Sequence, residues 1–235
     1  MILNLNNLKY YFLTCNNEKR RVHMINEFKE YDITEVNPII GICKNKSGAS
    51  GFSKILDLAS KNQNRSKPFQ PFVIFEDDVK KYRDFPDNID IPDDADILYI
   101  GLSNWGMTNH CRGRKNVIVY KEINQFTVRI FNMLSLHGII VCSAVGLLAI
   151  QRCMMEGFFK NQIWDNYVAQ IQPYYNVYAL KKPLVFQFKE VGGQQEETSI
   201  EIKEINGTNE NLDIIPEKWI NKNNVSVIMG YNKTK

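Results

Sequence analysis

The sequence predicts an α/β fold built on a largely parallel sheet, and three observations predict it. Short apolar runs rich in aromatic and β-favouring residues recur along the first hundred residues, each the length of a buried strand. Between them lie segments with apolar residues at helical 3–4 spacing. Alternation of the two is the pattern of parallel strands joined by helical crossovers. The composition agrees: 44 % apolar and 23 % charged residues suit a globular chain. At 235 residues one large domain is expected, burying roughly 70 % or more of the unfolded chain's surface. Such a core needs no metal or disulfide staple.

The first strand is expected at Tyr10–Cys15. Asn16 and Asn17 can start a helix running from Glu18 to about Tyr31, with Val22, Ile25, Phe28 and Tyr31 facing inward. Glu35–Ile40 reads as a second strand. A loop from Gly41 to Ser50 then leads into a helix carrying Phe52, Ile55, Leu56 and Ala59. A polar linker, Lys61–Pro71, precedes the strand Phe72–Phe75, which ends at Glu76-Asp77-Asp78. Residues 80–95 hold prolines and many aspartates and are expected to be a surface loop. Asp96–Gly101 is another buried strand, Val117–Tyr120 an edge strand, and Gly138–Cys142 a further apolar strand. Ser143 can cap a helix whose buried face would include Val145, Leu148, Ala149, Cys153 and Phe158. A second helix starts near Asp165, and Val177–Leu180 and Leu184–Phe188 complete the strands. After Gly193 the composition turns polar, so residues 1–200 are taken as the main domain and 201–235 as an extension packing on it or forming a contact surface.

Charge and cysteine usage exclude several classes. Twenty-nine basic against twenty-six acidic side chains give a net charge of +3, too little for nucleic acid, and the basic pairs are scattered. The five cysteines form no CxxC pair and most sit in apolar surroundings, as free buried thiols do. The N-terminal residues lack the basic and long apolar regions of a signal peptide. The longest apolar run, Gly138–Ile150, is too short to span a bilayer. A reduced, cytoplasmic setting is expected.

A strand that leaves the core and ends in Glu76-Asp77-Asp78 concentrates three negative charges at one sheet edge. If the strand continued, alternation would send Glu76 and Asp78 to the same side. Adjacent carboxylates repel, and a divalent cation removes that cost; such oxygen ligands suit Mg²⁺ or Mn²⁺, with substrate phosphates completing the shell. A solvated acidic turn is the plainer reading of the same three residues. Competing motifs are missing: no Gly-x-x-x-x-Gly-Lys-Ser/Thr stands near Lys44, no Gly-x-Gly-x-x-Gly follows the first strand, and no Gly-x-Ser-x-Gly elbow occurs.

Several segments, in order, resemble glycosyltransferase family 25, the group of lipooligosaccharide and collagen galactosyl- or glucosyltransferases. They are Tyr11-Phe-Leu-Thr-Cys-Asn-Asn-Glu-Lys-Arg-Arg21; Gly48-Ala-Ser-Gly-Phe-Ser-Lys54, where Ser53-Lys54 replaces a Ser-His pair; and Ile74-Phe-Glu-Asp-Asp-Val79. Ala95-Asp-Ile-Leu-Tyr-Ile-Gly101, Gly138-Ile-Ile-Val-Cys-Ser-Ala-Val-Gly146, Ile163-Trp-Asp165, Pro183-Leu-Val-Phe-Gln187 and Thr198-Ser-Ile200 follow. The resemblance spans roughly residues 8 to 200. It implies a GT-A fold with a Rossmann-like sheet, a nucleotide-sugar donor (most often a UDP-sugar), a divalent metal and an inverting transfer of a hexose to a glycan or protein hydroxyl. Carried across, Asp78 is the metal ligand, Glu76 contacts the ribose or the metal shell, and Asp77 supports the metal site or donor sugar. Thr14, Asn16 and Arg20 would lie near the nucleotide base and ribose. In open α/β sheets that crevice lies beyond the carboxyl ends of the strands.

An inverting transfer needs a base for the acceptor hydroxyl's proton. Asp165 leads, because Trp164 beside it can pack on a sugar and partly desolvate the carboxylate, raising its pKa; the competing role is a helix N-cap. Glu156 is the weaker alternative. Among the histidines, His23 is expected on a helix face, and His137 borders the donor pocket or serves as a core-edge residue. No histidine follows His137, so a C-terminal histidine ligand is missing or replaced by Gln187, Glu190 or water. The alternative function is a catalytically inactive GT-A-like module that binds glycan or protein; a metal-dependent nuclease is remoter, given the near-neutral charge.

Overall fold

The computed structural model describes residues 1–193, apart from Cys15, Ile40, Arg65, Asn104 and 107–117, together with the backbone of Gly207–Thr208. Among these residues thirteen strands form one nine-stranded sheet and two small two-stranded ones, accompanied by four α-helices. Of the expected elements, the extension 201–235 apart from Gly207–Thr208, the edge-strand residue Val117 and the Thr198-Ser-Ile200 segment lie outside the described residues.

The chain begins with β1 (Ile2–Asn4), then β2 (Lys9–Leu13), whose Tyr10, Tyr11, Phe12 and Leu13 are all buried. Helix α1 spans Glu18–Glu27, and the Asn17 side chain caps it by accepting from the Arg20 amide. Its inner residue is Met24, with Phe28 just beyond the end, while Val22 and Ile25 are exposed. The expected inward face is therefore rotated: Phe28 and Met24 reach the aromatic cluster of Tyr10, Tyr31 and Phe75, and His23 Nε2 donates to the Val79 carbonyl at 2.8 Å.

Strand β3 (Ile33–Val36) precedes helix α2 (Lys44–Lys61). This helix starts within the stretch read as a loop. Gly48, read as part of that loop, serves packing, since a Cβ there would overlap the Trp164 ring; Gly51, one turn on, leaves the same kind of room for Leu13. Phe52, Ile55, Leu56 and Ala59 are buried as expected. β4 (Phe72–Glu76) is followed by a turn at Asp77 and Asp78, so the strand does not continue through the acidic run. The expected surface loop at 80–95 instead contains β5 (Val79–Lys81) and β6 (Asn88–Asp90), with Ile89 and Ile91 buried. β6 pairs with β1 because its alternate residue Ile89 turns inward between two polar neighbours.

β7 (Ile97–Tyr99), β8 (Ile118–Glu122) and β9 (Thr127–Asn132) come next; β9 was not foreseen. β10 (Gly138–Val141) leads to α3 (Ala144–Lys160), capped by Ser143, whose hydroxyl accepts from the Gly146 amide and donates to Asp96. Leu147, Ile150, Cys153 and Met154 form its inner face; Val145 and Leu148, expected there, point outward. α4 (Trp164–Ile171), β11 (Val177–Leu180) and β12 (Val185–Gln187) follow, and β13 (Gly207–Thr208) adds to β8.

In the large sheet the order is β13-β8-β9-β11-β7-β10-β4-β2-β3. The pairings set β9 and β10 against the other seven strands, which all run one way. The α/β class with a largely parallel sheet therefore holds, with two reversed strands, β9 and β10, inside it. One face of the sheet is covered by α2, α3 and α4 around Phe52, Ile74, Tyr99 and Ile150; the other holds Phe12, Phe28, Phe75 and Leu98. Fully buried Gln172 ties the helical layer to the sheet, bonding both backbone groups of Met133 and the Tyr99 hydroxyl.

Candidate active site: an acidic cluster at the carboxyl edge of the sheet

The register places the expected site residues together. Leu13 of β2 pairs with Glu76 of β4, so the chain from Thr14 to Arg20 leaves the sheet directly beside the acidic run. His137, one residue before β10, accepts the Glu76 amide proton through its carbonyl at 3.3 Å. The carboxyl ends of the parallel strands β2, β4 and β7 thus share one edge, the position at which open α/β sheets bind ligands.

Arg20 organises the cluster. Its Nη1 donates to Asp77 Oδ1 at 2.7 Å, and Nη2 lies 3.4 Å from Asp78 Oδ2. The same guanidinium donates through Nε to the Val191 carbonyl at 2.9 Å and through Nη2 to the Gly192 carbonyl at 2.6 Å. One planar fork therefore joins two nearly buried carboxylates to the segment after β12. That segment closes on the cluster at other points as well: the Phe188 amide donates to the Asp78 carbonyl at 2.6 Å, and Gln187 Nε2 donates to Glu76 Oε2 at 3.0 Å. Sequence alone placed Gln187 only as a stand-in for a missing histidine; its bond to Glu76 spans 111 positions and leaves no local signature. Glu190 is exposed, and its carbonyl accepts from Lys19.

Burial and repulsion from neighbouring carboxylates push Glu76 and Asp78 upward. Glu76 rises well above the ordinary value, first because it is desolvated, then because Asp78, Asp165 and Asp77 surround it; Arg20 pulls the other way. Asp78 is raised by burial against the opposing effect of Arg20. The influence of Asp165 on Glu76 is the geometric point of interest. These residues are far apart in sequence, yet α4 starts at the same sheet edge. Asp165 is pushed up to about 6, chiefly by desolvation, with its own and the Asn166 amides pulling it down. It lies in the first turn of α4 and not at the cap, which is Ile163 and makes no side-chain bond. The N-cap role is thereby removed.

Three buried polar atoms at this edge lack a partner: Asp78 Oδ1, Asp165 Oδ1 and Trp164 Nε1. Unsatisfied buried acceptors are costly, and a bound cation or ligand would relieve them. Asp78 Oδ1 and a free Glu76 oxygen suit a Mg²⁺- or Mn²⁺-type ion held by one or two carboxylates plus substrate phosphates. Among the described residues no group of three or more His, Cys, Asp or Glu side chains converges as a metal cage. Any such ion would therefore need donor oxygens or water to fill its shell.

The other expected residues are placed as follows. Thr14 is buried, its amide donating to the Val36 carbonyl, and Asn16 is exposed in the left-handed region at φ 55°. Glu156 pairs with Lys160 at 2.9 Å on α3 and is no part of the cluster. His137 is buried, hydrogen-bonded at Nδ1 to Ser135 at 2.6 Å, and pushed down to about 4 by burial, so it stays neutral. Trp164 packs against Phe52 and fills the notch at Gly48, which holds Asp165 at the rim. Gly48→Ala is expected to cost roughly 1–3 kcal/mol through overpacking, read by urea denaturation; an unchanged midpoint would mean that the indole is not seated there.

A scan against protein-family models finds no match for this chain, and a search of curated proteins finds none.

Proposed function

We propose that this chain is a metal-dependent glycosyltransferase of GT-A type, moving a hexose from a nucleotide-sugar, a UDP-sugar by resemblance, to a hydroxyl of a glycan or protein acceptor with inversion. The observation that carries the reading is the largely buried acidic run Glu76-Asp77-Asp78 at the carboxyl edge of the sheet, close enough to Asp165 for that charge to raise Glu76, with Asp78 and Asp165 each keeping a buried oxygen without a partner. Asp78 and Glu76 would hold the divalent cation, which supplies neutralisation of the charge developing on the departing diphosphate. Thr14, Asn16 and Arg20 line the donor side, and Arg20 orients Asp77 and Asp78. Asp165, with a pKa near 6, is ionised at neutral pH and basic enough to accept the acceptor hydroxyl's proton.

The test is donor turnover without acceptor. Purified protein incubated with UDP-glucose, UDP-galactose and other common nucleotide sugars should release the nucleoside diphosphate slowly with Mn²⁺ and not with chelator. If no donor is hydrolysed and none shifts the melting temperature with metal present, the transferase reading fails.

A second reading has one specific observation in its favour. Arg20 already gives Asp77 and Asp78 a fixed positive partner, as in a cluster kept for structure. On that reading the chain is an inactive module that binds glycan or protein. Calorimetric uptake of glycan without nucleotide or metal, together with no donor binding, would select it.

A further inference from the structure

We propose that the outer face of α3 is a docking surface for a membrane bearing anionic phospholipid. Helix α3 is apolar on two opposite sides. Its inner side is core, but Val145, Leu148, Met155 and Phe159 are 52, 53, 50 and 72 % exposed. At 3.6 residues per turn these four fall in a single stripe about 80° wide. Scattered exposed apolar side chains need no explanation, whereas an aligned row along a whole helix marks an interaction face.

Charge identifies the occupant. Arg152 falls inside the stripe by the same spacing. Lys160 ends the helix, and Lys46 stands over the Phe158 ring at 5.5 Å. Lys44 opens α2, whose start is tied to the end of α3 by Cys43 Sγ to Asn161 Oδ1 at 2.7 Å and Asn45 Nδ2 to the Asn161 carbonyl at 3.3 Å. Two carboxylates stand nearby, Glu156 paired with Lys160 and Asp57 accepting from Gln151 at 2.7 Å, so the four cations of this face outnumber them. Apolar residues flanked by Arg and Lys on one helix face are the pattern of a helix lying in a membrane interface, where the side chains enter the headgroup region and the cations meet anionic lipid. A second copy fits less well, because a two-fold pairing along the full stripe sets Arg152 against Arg152. A ridge of this kind also needs no complementary groove in a bilayer, as it would in a protein. No described helix is long and apolar enough to cross a membrane, so the attachment is superficial. The inference does not depend on the transferase reading.

The test is sedimentation of the full chain with vesicles of phosphatidylcholine alone and of phosphatidylcholine with phosphatidylglycerol. Binding to the anionic vesicles and little to the neutral ones is expected. Leu148→Ser with Phe159→Ser should remove it, and Arg152→Glu with Lys160→Glu should weaken it by roughly tenfold or more. Leu148, Arg152 and Phe159 lie on the outer side of the helix and Lys160 at its exposed end, and circular dichroism checks that each variant folds. No sedimentation with either vesicle overturns the proposal. Undiminished binding by the Leu148/Phe159 variant overturns it too. So does a dimer, seen by light scattering, that this variant dissociates, since a second copy then occupies the face.

Discussion

Asp165→Asn is expected to lower sugar transfer by roughly 10²–10⁴-fold while sparing donor binding, whereas Asp78→Ala should lose both. The separation follows from their positions: Asp78 sits in the turn beyond β4 beside Arg20, and Asp165 stands on a different element, in the first turn of α4. The pH profile adds a signature. With Asp165 pushed up to about 6, the native rate should climb as pH passes that value and the carboxylate forms. A variant whose residual rate keeps that limb would remove Asp165 from the role of base.

Stability should move in the opposite direction. The folded protein holds the Asp165 proton more tightly than the unfolded chain, whose carboxyl has its ordinary value near 3.8. The favourable contribution is therefore complete below the unfolded value and is lost as pH rises through about 6. The upward shift of Glu76 acts with the same sign. Asparagine does not ionise, so Asp165→Asn should be more stable than the native protein above pH 7, by at most about 3 kcal/mol. Urea denaturation at pH 5 and pH 8 measures this; equal midpoints at pH 8 would contradict it.

The largest loss of stability is expected from Arg20→Leu. It strands two carboxylates that are nearly inaccessible and releases two backbone carbonyls at once. Breaking a buried ion pair from one side costs roughly 3–5 kcal/mol. Arg20→Lys should recover only part, because an ammonium cannot reproduce the planar fork. Combining Arg20→Leu with Asp77→Asn should restore stability relative to Arg20→Leu alone, since the stranded charge is then gone. Added Mn²⁺ should also recover stability if the cluster accepts a cation. A single variant with unaltered denaturation would show that the ion pairs contribute nothing.

The strands and caps were legible because their causes are local. Asn17 and Ser143 cap helices by bonds three residues long, and the runs at Tyr10–Leu13 and Phe72–Phe75 are buried on both faces. What was misread depended on partners far along the chain. Gly48 looks like a loop residue until Trp164 is seen to need the space. Val22, Ile25, Val145 and Leu148 have the spacing of core positions, but the neighbouring stripe of each helix wins the sheet. β9 escaped notice because Arg129 interrupts its apolar pattern, although its guanidinium is accommodated over Tyr178 and Phe131. Within the site, the three acidic residues and Asp165 were visible as candidates. The Arg20 fork and the Gln187 bond, each linking segments more than a hundred positions apart, could not be.

The reversed strand β10 also bears on how the chain is made. β4 is among the most apolar strands and pairs with β2 early, yet its other neighbour, β10, is translated some sixty residues later. At ribosomal rates of about 5–20 residues per second, that gap is on the order of 3–13 s. Through that interval Phe72–Phe75 presents an open hydrogen-bonding edge, the kind that captures strands from other nascent chains. Synthesis paused between β4 and β10 should thus yield aggregates, and chaperone demand should peak before residue 141 emerges.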